Sequence, residues 1–155
     1  MVPGNSHSQH SCPGSTGTRR NGSTTRNGLT DTQAEALRRL LAELPVEQFV
    51  HGSCRGTDVE AARLARLTHP QCCIVARPGP DDDSNRTASG VDDETLPGKT
   101  HFARNRDIVA DCDLLIGCPP CRPLPPYGGT AYTVGHARKV GKPVVVVWPD
   151  GRVER

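Results

Sequence analysis

Apolar positions first recur at helical spacing between Asp31 and Leu44. There Ala34, Leu37, Leu41 and Leu44 share one face, and Arg38, Arg39 and Glu43 occupy the other. Thr30 with Gln33 matches a capping box, Thr32 with Glu35 offers a second register, and Pro45 stops the helix. The pattern then alternates between short apolar runs and helical segments. Gln48–His51 reads as a strand, and a helix capped by Thr57 or Asp58 continues to Leu67 with Val59, Ala62 and Ala65 or Arg66 inward. Cys72–Ala76 is a buried-type strand, His101–Cys112 a helix with Phe102, Ile108 and Val109 inward, and Asp113–Gly117 the next strand. A proline-rich loop at 118–127 leads to a helix from Thr130 to Val140, ended by Gly141 and Pro143. Val144–Trp148 is an uninterrupted apolar strand of the kind found inside parallel sheets. Strands alternating with helices predict an α/β, doubly wound fold, with a mainly parallel sheet of four to five strands and helices on both faces.

Two stretches fall outside this rhythm. Val2 is the sole branched aliphatic residue before Leu29, so residues 1–26 are expected to be disordered or weakly ordered, ahead of a single domain at 27–151. The only candidate there for a first strand, Ser11–Thr16, is almost devoid of β-formers. Arg77–Lys99 is a long loop, acidic over 78–99 through Asp81, Asp82, Asp83, Asp92, Asp93 and Glu94. It reads as a solvated excursion, with a lid over a pocket as the functional alternative.

Composition narrows the partners. A net charge of +2 and an aromatic content of 3% support neither bulk attraction to nucleic acid nor a base-stacking platform along a strand, so nucleic acid is not expected. No segment is long and apolar enough to span a bilayer, and no secretory signal is evident. A cytoplasmic location without membrane contact follows as the default. Seven cysteines, several in core elements, read as reduced thiols.

The chemistry lies in three short segments: His51-Gly52-Ser53-Cys54-Arg55-Gly56-Thr57-Asp58, Arg104-Asn105-Arg106-Asp107 and Gly128-Gly129-Thr130. The first and third join a strand to a helix. Glycine lets backbone approach a phosphate, and helix N-termini offer unpaired N–H groups to it. Gly52, Ser53, Arg55, Gly56, Thr57 and Asp58 are therefore candidate ligand contacts, although Asp58 also fits an N-cap worth about 1 kcal/mol. Arg104 and Arg106 flank Asn105 at a helix start, where positive charge opposes the macrodipole and a bound anion would relieve it. A surface pair bridged to Asp107 or Asp111 is the plainer account. Replacing Arg104 should weaken binding of phosphorylated ligands and spare the fold. Lys99 and His101 would add to the same positive rim. Gly128, Gly129 and Thr130 suit a phosphate-binding turn with the threonine hydroxyl as an extra donor, or a plain loop with a threonine cap.

These motifs, with the Arg-Lys-Val-Gly-Lys-Pro ending of the last helix at 138–143, resemble the SLOG superfamily. That group is Rossmann-like and includes DNA-processing protein A, the Lonely Guy phosphoribohydrolases and the YpsA-type proteins. Ser15-Thr16-Gly17-Thr18-Arg19 is similar to its first strand-to-helix loop, which adds Thr16, Gly17 and Arg19 to the ligand candidates. The resemblance implies a nucleotide or phosphorylated ribose at the carboxyl edge of the sheet, bound or sensed by the domain. It also leaves a homodimer open. The alternative is an N-glycosidase or phosphoribohydrolase acting on nucleoside monophosphates. Lonely Guy enzymes place a glutamate after the Gly-Gly-Thr turn, whereas this chain has Ala131, Tyr132 and Thr133, so a catalytic carboxylate would have to be Asp58.

Cys118-Pro119-Pro120-Cys121 raises a third class, a thiol or metal protein. A structural zinc needs two further ligands, and adjacent Cys72 and Cys73 point to opposite faces of a strand. Incidental loop cysteines are the expectation, with no metal. Trp148 reads as core or strand-end packing.

Overall fold

The computed structural model describes residues 11–13 and 28–155. Its elements are β1 (Ser11–Pro13), α1 (Asp31–Glu43), β2 (Gln48–His51), α2 (Thr57–Thr68), β3 (Cys73–Ala76), β4 (Glu94–Thr95), α3 (His101–Asp111), β5 (Leu114–Gly117), α4 (Gly129–Lys139), β6 (Val144–Val147) and β7 (Val153–Glu154). One sheet runs in the order β4-β3-β2-β1-β5-β6-β7, parallel except for β7, which returns antiparallel to β6. The α/β, doubly wound reading holds. The strand count rises from the expected four to five to seven, because the two-residue strands β4 and β7 extend the sheet at its two edges.

Strand periodicity decides which helix each core residue meets. Phe49, Ile74, Ile116, Val145 and Val147 pack with Leu37, Leu41, Ala61 and Ala65 of α1 and α2. Their chain neighbours Val50, Val75, Leu115 and Val146 pack with Ile108, Val109, Val134 and Ala137 of α3 and α4. Successive side chains of a strand point to opposite faces, so continuous apolar runs fill two cores at once. Each such side chain contributes roughly 1.5–3 kcal/mol on burial.

The weakest-looking strand stands at the centre. β1 pairs in parallel with β2 through Ser11 and with β5 through Ser11, Cys12 and Pro13. A strand with neighbours on both sides is stabilised by ladder hydrogen bonds and not by intrinsic propensity, which is why composition underrated it. The rest of the expected weakly ordered tail, including Thr16, Gly17 and Arg19, lies outside the described residues.

Helix starts shift slightly from expectation. Thr30 closes the anticipated capping box with Gln33 at α1. At α2 and α4, by contrast, the caps are Gly56 and Gly128, with φ of 90° and 107°, and neither has a side chain to cap with. Thr57, Asp58 and Thr130 lie inside the first turn. Phe102 is not inward: it shares a helical face with Val109 but sits in the first turn of α3, where a cleft replaces the sheet, and is 58% exposed.

Candidate functional site

Connections leave β1 and β5 in opposite directions, toward β2 through α1 and toward β6 through α4. In an open parallel sheet the crevice outside the carboxyl ends of two such strands is the natural ligand position. A cleft of about 580 Å³ opens at this edge, lined by the turn after β2, the start of α3, the proline-rich loop and the first turns of α4.

The turn after β2 is closed by its own residues. A Cβ at Gly52 would lie 2.5 Å from Arg104 Nη1 and 2.8 Å from Asp58 Oδ2, so only glycine admits both groups. The Ser53 N–H donates to His51 Nδ1 at 3.1 Å, the Cys54 N–H to Asp58 Oδ2 at 3.1 Å, and the Arg55 N–H to the Asn85 carbonyl at 2.8 Å. Three amides expected to face a ligand are therefore engaged within the protein. Of this segment only Cys54 lines the cleft; the Arg55 side chain is exposed, and Gly52, Ser53, Gly56, Thr57 and Asp58 do not reach it.

Asp58 is fully buried, and its Oδ1 has no hydrogen-bond partner. Burial pushes its carboxyl above the ordinary range, against the opposing pull of His51, Arg104 and the Cys54 N–H. The folded state then holds a proton to higher pH than the unfolded chain, whose reference value is 3.8, and stability falls as pH rises through that window. Asn keeps an acceptor for the Cys54 N–H without a charge. Asp58→Asn is accordingly expected to be more stable than wild type at neutral pH, with the gain disappearing toward pH 4. Urea midpoints across that range check it, and a variant less stable at every pH would refute it.

Arg104, expected at a helix start, is the fourth residue of α3, and it is 2% exposed with its side chain turned into the protein. Its guanidinium donates to the carbonyls of Gly52 and, at 3.4 Å, Arg77, while Nε donates to Asn105 Oδ1 at 2.7 Å. Arg104 Nη2 lies 3.4 Å from His101 Nδ1, and His101 Nε2 lies 3.4 Å from Asp83 Oδ2. If Nδ1 accepts from the arginine, Nε2 carries the hydrogen toward Asp83, a tautomer inferred from these partners. Arg104, Asn105, His101 and Asp83 all line the cleft. Arg106 does not; it is exposed and donates to the Tyr132 hydroxyl at 3.3 Å. The anticipated bridge to an aspartate is made instead by Lys99, at 2.5 Å from Asp107, and by Arg77, to Asp111. Lys99 does not line the cleft, whereas His101 does.

α4 begins inside the cleft. Gly128 and Gly129 line it, together with Ala131 and Tyr132, while Thr130 is buried beneath. The first N–H groups of any helix have no intrahelical partner, and the cap residue Gly128 brings no side chain to them. The turn thus offers donors at the end of a helix dipole.

The 77–99 loop is docked on the turn rather than solvated along its length. The Thr87 N–H donates to the Ser53 carbonyl at 2.9 Å, and Cys54 and Arg86 form an isolated antiparallel bridge. His51 Nε2, wholly buried, meets Asp92 Oδ1 at 2.6 Å, and Asp92 also accepts from the Ser89 hydroxyl at 2.6 Å and N–H at 3.2 Å. Asp83 and Asn85 bring this loop to the cleft wall.

Sequence reasoning missed Asp83, Asn85, Tyr127, Tyr132 and Arg138 as cleft residues. Tyr127 stands directly before Gly128, which was the signal available for it. Cys118 is buried, and burial pushes its thiol up to about 12, as it does those of Cys54 and Cys112. Trp148 is buried, with Nε1 donating to Glu154 at 3.2 Å and Arg122 over its ring at 5.4 Å.

Sheet order and cleft position together define a Rossmann-like α/β domain. No protein-family model matches the sequence, and no curated protein does. Among solved structures the chain is similar to a molybdenum cofactor binding protein from the phototrophic bacterium Rippkaea orientalis, with a TM-score of 0.63 and 18% identity over 92% of this chain and 78% of that one. It is similar also to TM1055, a structural genomics target, with a TM-score of 0.59 and 17% identity over 87% and 72% of the two chains. At these identities the likeness establishes the fold. No helix among the described residues is long and apolar enough to cross a membrane.

Proposed function

We propose that this chain is a SLOG-type domain that binds a small phosphorylated ligand, a nucleotide or sugar phosphate, with the phosphate on the first turn of α4. The observation that carries this reading is the glycine-capped start of α4, at Gly128 and Gly129, opening into a cleft that the buried Arg104 also lines. The backbone N–H groups of this glycine start and the helix dipole favour an anion there, with the Arg104 guanidinium at the same cleft. A structural neighbour described as a molybdenum cofactor binding protein supports a small-ligand role for a fold of this kind. Binding is favoured over cleavage by the Lonely Guy route because Ala131, Tyr132 and Thr133 bring no carboxylate to the turn and Asp58 is sealed from the cleft, while the carboxylate that does line it, Asp83, is paired with His101.

Thermal shift with nucleoside monophosphates and ribose 5-phosphate tests it. A ligand at a hundred times its Kd stabilises the fold by about 2.7 kcal/mol, a shift of several degrees. Gly129→Asp places a carboxylate at the helix start, where it suits the dipole but competes for the same donors. It is expected to weaken binding at least tenfold without lowering the melting temperature of the free protein. Absence of any shift with phosphorylated ligands, or an unchanged Kd in Gly129→Asp, would overturn the reading.

A further inference from the structure

The chain has five aromatic residues among Phe, Tyr and Trp, and three of them, Phe102, Tyr127 and Tyr132, line this one cleft. Phe49 and Trp148 are the two placed in the core. A protein so poor in aromatics gains nothing for folding by leaving Phe102 58% and Tyr127 78% exposed. Removing that apolar surface from water would be favourable, and the fold does not do it.

The wall they form is built and oriented. Tyr132 is fixed from three sides. Phe102 packs on it with ring centroids 4.6 Å apart and tilted by 53°, His136 stacks on it at 6.2 Å and 4°, and Arg106 donates to its hydroxyl. Such offset and tilted pairs hold rings in place beyond the effect of area alone. Phe102 comes from the first turn of α3, and Tyr127 from the loop that enters α4, so two separate segments bring rings to the same space. The ring-bearing part adjoins the helix start directly: Tyr127 precedes Gly128, and Tyr132 lies within the first turns of α4. Asn85 and Asn105 line the cleft as well, and Asn105 Oδ1 is already taken by Arg104 Nε. The Asn85 carboxamide pairs a donor with an acceptor, a match for the edge of a heteroaromatic ring that an alkyl chain would leave unsatisfied.

We infer that the ligand carries a planar heteroaromatic ring beside its phosphate, seated against Phe102 and Tyr127, so that the cleft selects a nucleotide-like compound over a bare sugar phosphate. This rests on the phosphate reading above and adds the second half of the ligand. Phe102 and Tyr127 are contact residues for the ring, and Tyr132 positions Phe102.

The test measures Kd by calorimetry for the four common ribonucleoside 5′-monophosphates, their nucleosides, ribose 5-phosphate and inorganic phosphate. The proteins are wild type, Phe102→Ala and Tyr127→Ala. Stacking on one aromatic side chain is expected to be worth roughly tenfold in affinity. At least one monophosphate should therefore bind ten times or more tightly than ribose 5-phosphate, and both variants should lose that margin while binding ribose 5-phosphate as wild type does. Both side chains are largely exposed, so unchanged melting temperatures confirm that the fold is intact. Equal affinity for ribose 5-phosphate and every monophosphate overturns the ring seat and leaves the phosphate site standing. A nucleoside that binds as well as its monophosphate overturns the phosphate site and supports the ring seat. Binding of no probe overturns both.

Discussion

Arg104→Ala is expected to destabilise the fold by about 3 kcal/mol and lower the melting temperature by roughly 10 °C. The side chain fills a buried position between α3 and the turn after β2 and satisfies the carbonyls of Gly52 and Arg77. Alanine removes the guanidinium donor from both carbonyls, leaving Gly52 only the weak Cys54 thiol at 3.8 Å, at about 1–3 kcal/mol each, and adds a cavity. It also removes the positive charge facing the carboxyl group of Asp58. This reverses the expectation from sequence that the substitution would spare the fold, because the arginine is a structural tie as well as a cleft residue. Arg104→Lys keeps the charge but not the planar fork, so it should recover only part of the loss. Urea denaturation of the three proteins decides the matter. A loss below about 0.5 kcal/mol in Arg104→Ala would show that the carbonyls find other donors.

Asp92→Ala should cost about 2–3 kcal/mol, the cost of leaving buried donors unpaired. It strips the acceptor from His51 Nε2, which ties the 77–99 loop to β2, and from both donors of Ser89, which fold the loop on itself. Although burial acts to raise it, the Asp92 carboxyl is held below its ordinary value by the hydrogen bonds from His51 and Ser89. A depressed acid adds stability that is present above its unfolded value of 3.8 and lost as pH falls through the folded one. The difference between wild type and Asp92→Ala should therefore be full at pH 7 and shrink below pH 4. Asp58 acts with the opposite sign in the same region, so the two substitutions separate in a pH series. Limited proteolysis should also cut the variant within 77–99 before the rest of the chain. An equal midpoint for both proteins at pH 7 would mean that the loop is held by its backbone contacts alone.

The docked loop shows where local pattern stops. Its acidic residues read as solvated, and several are paired, as Asp93 is with Arg66 and Asp81 with Arg86. No periodicity announces a partner 41 residues away, as His51 is from Asp92. Phe102 is the same case on a smaller scale. Spacing placed it on the face of Val109, but spacing does not say where the sheet ends and the cleft begins.

Segments 31–44, 48–51, 57–67, 113–117 and 144–148 were legible from apolar spacing alone, and so was the α/β class. Those features depend on which side chains one element presents, a property of near neighbours in the chain. The Gly-Gly start of α4 was legible for the same reason. Tertiary structure alone decided the central place of β1, the engagement of the Ser53, Cys54 and Arg55 amides within the turn, the burial of Arg104, and the gathering of three aromatic side chains at one cleft. Each of these joins segments far apart in sequence, and the free energy that fixes it comes from desolvation and hydrogen bonding between them, which no local pattern records.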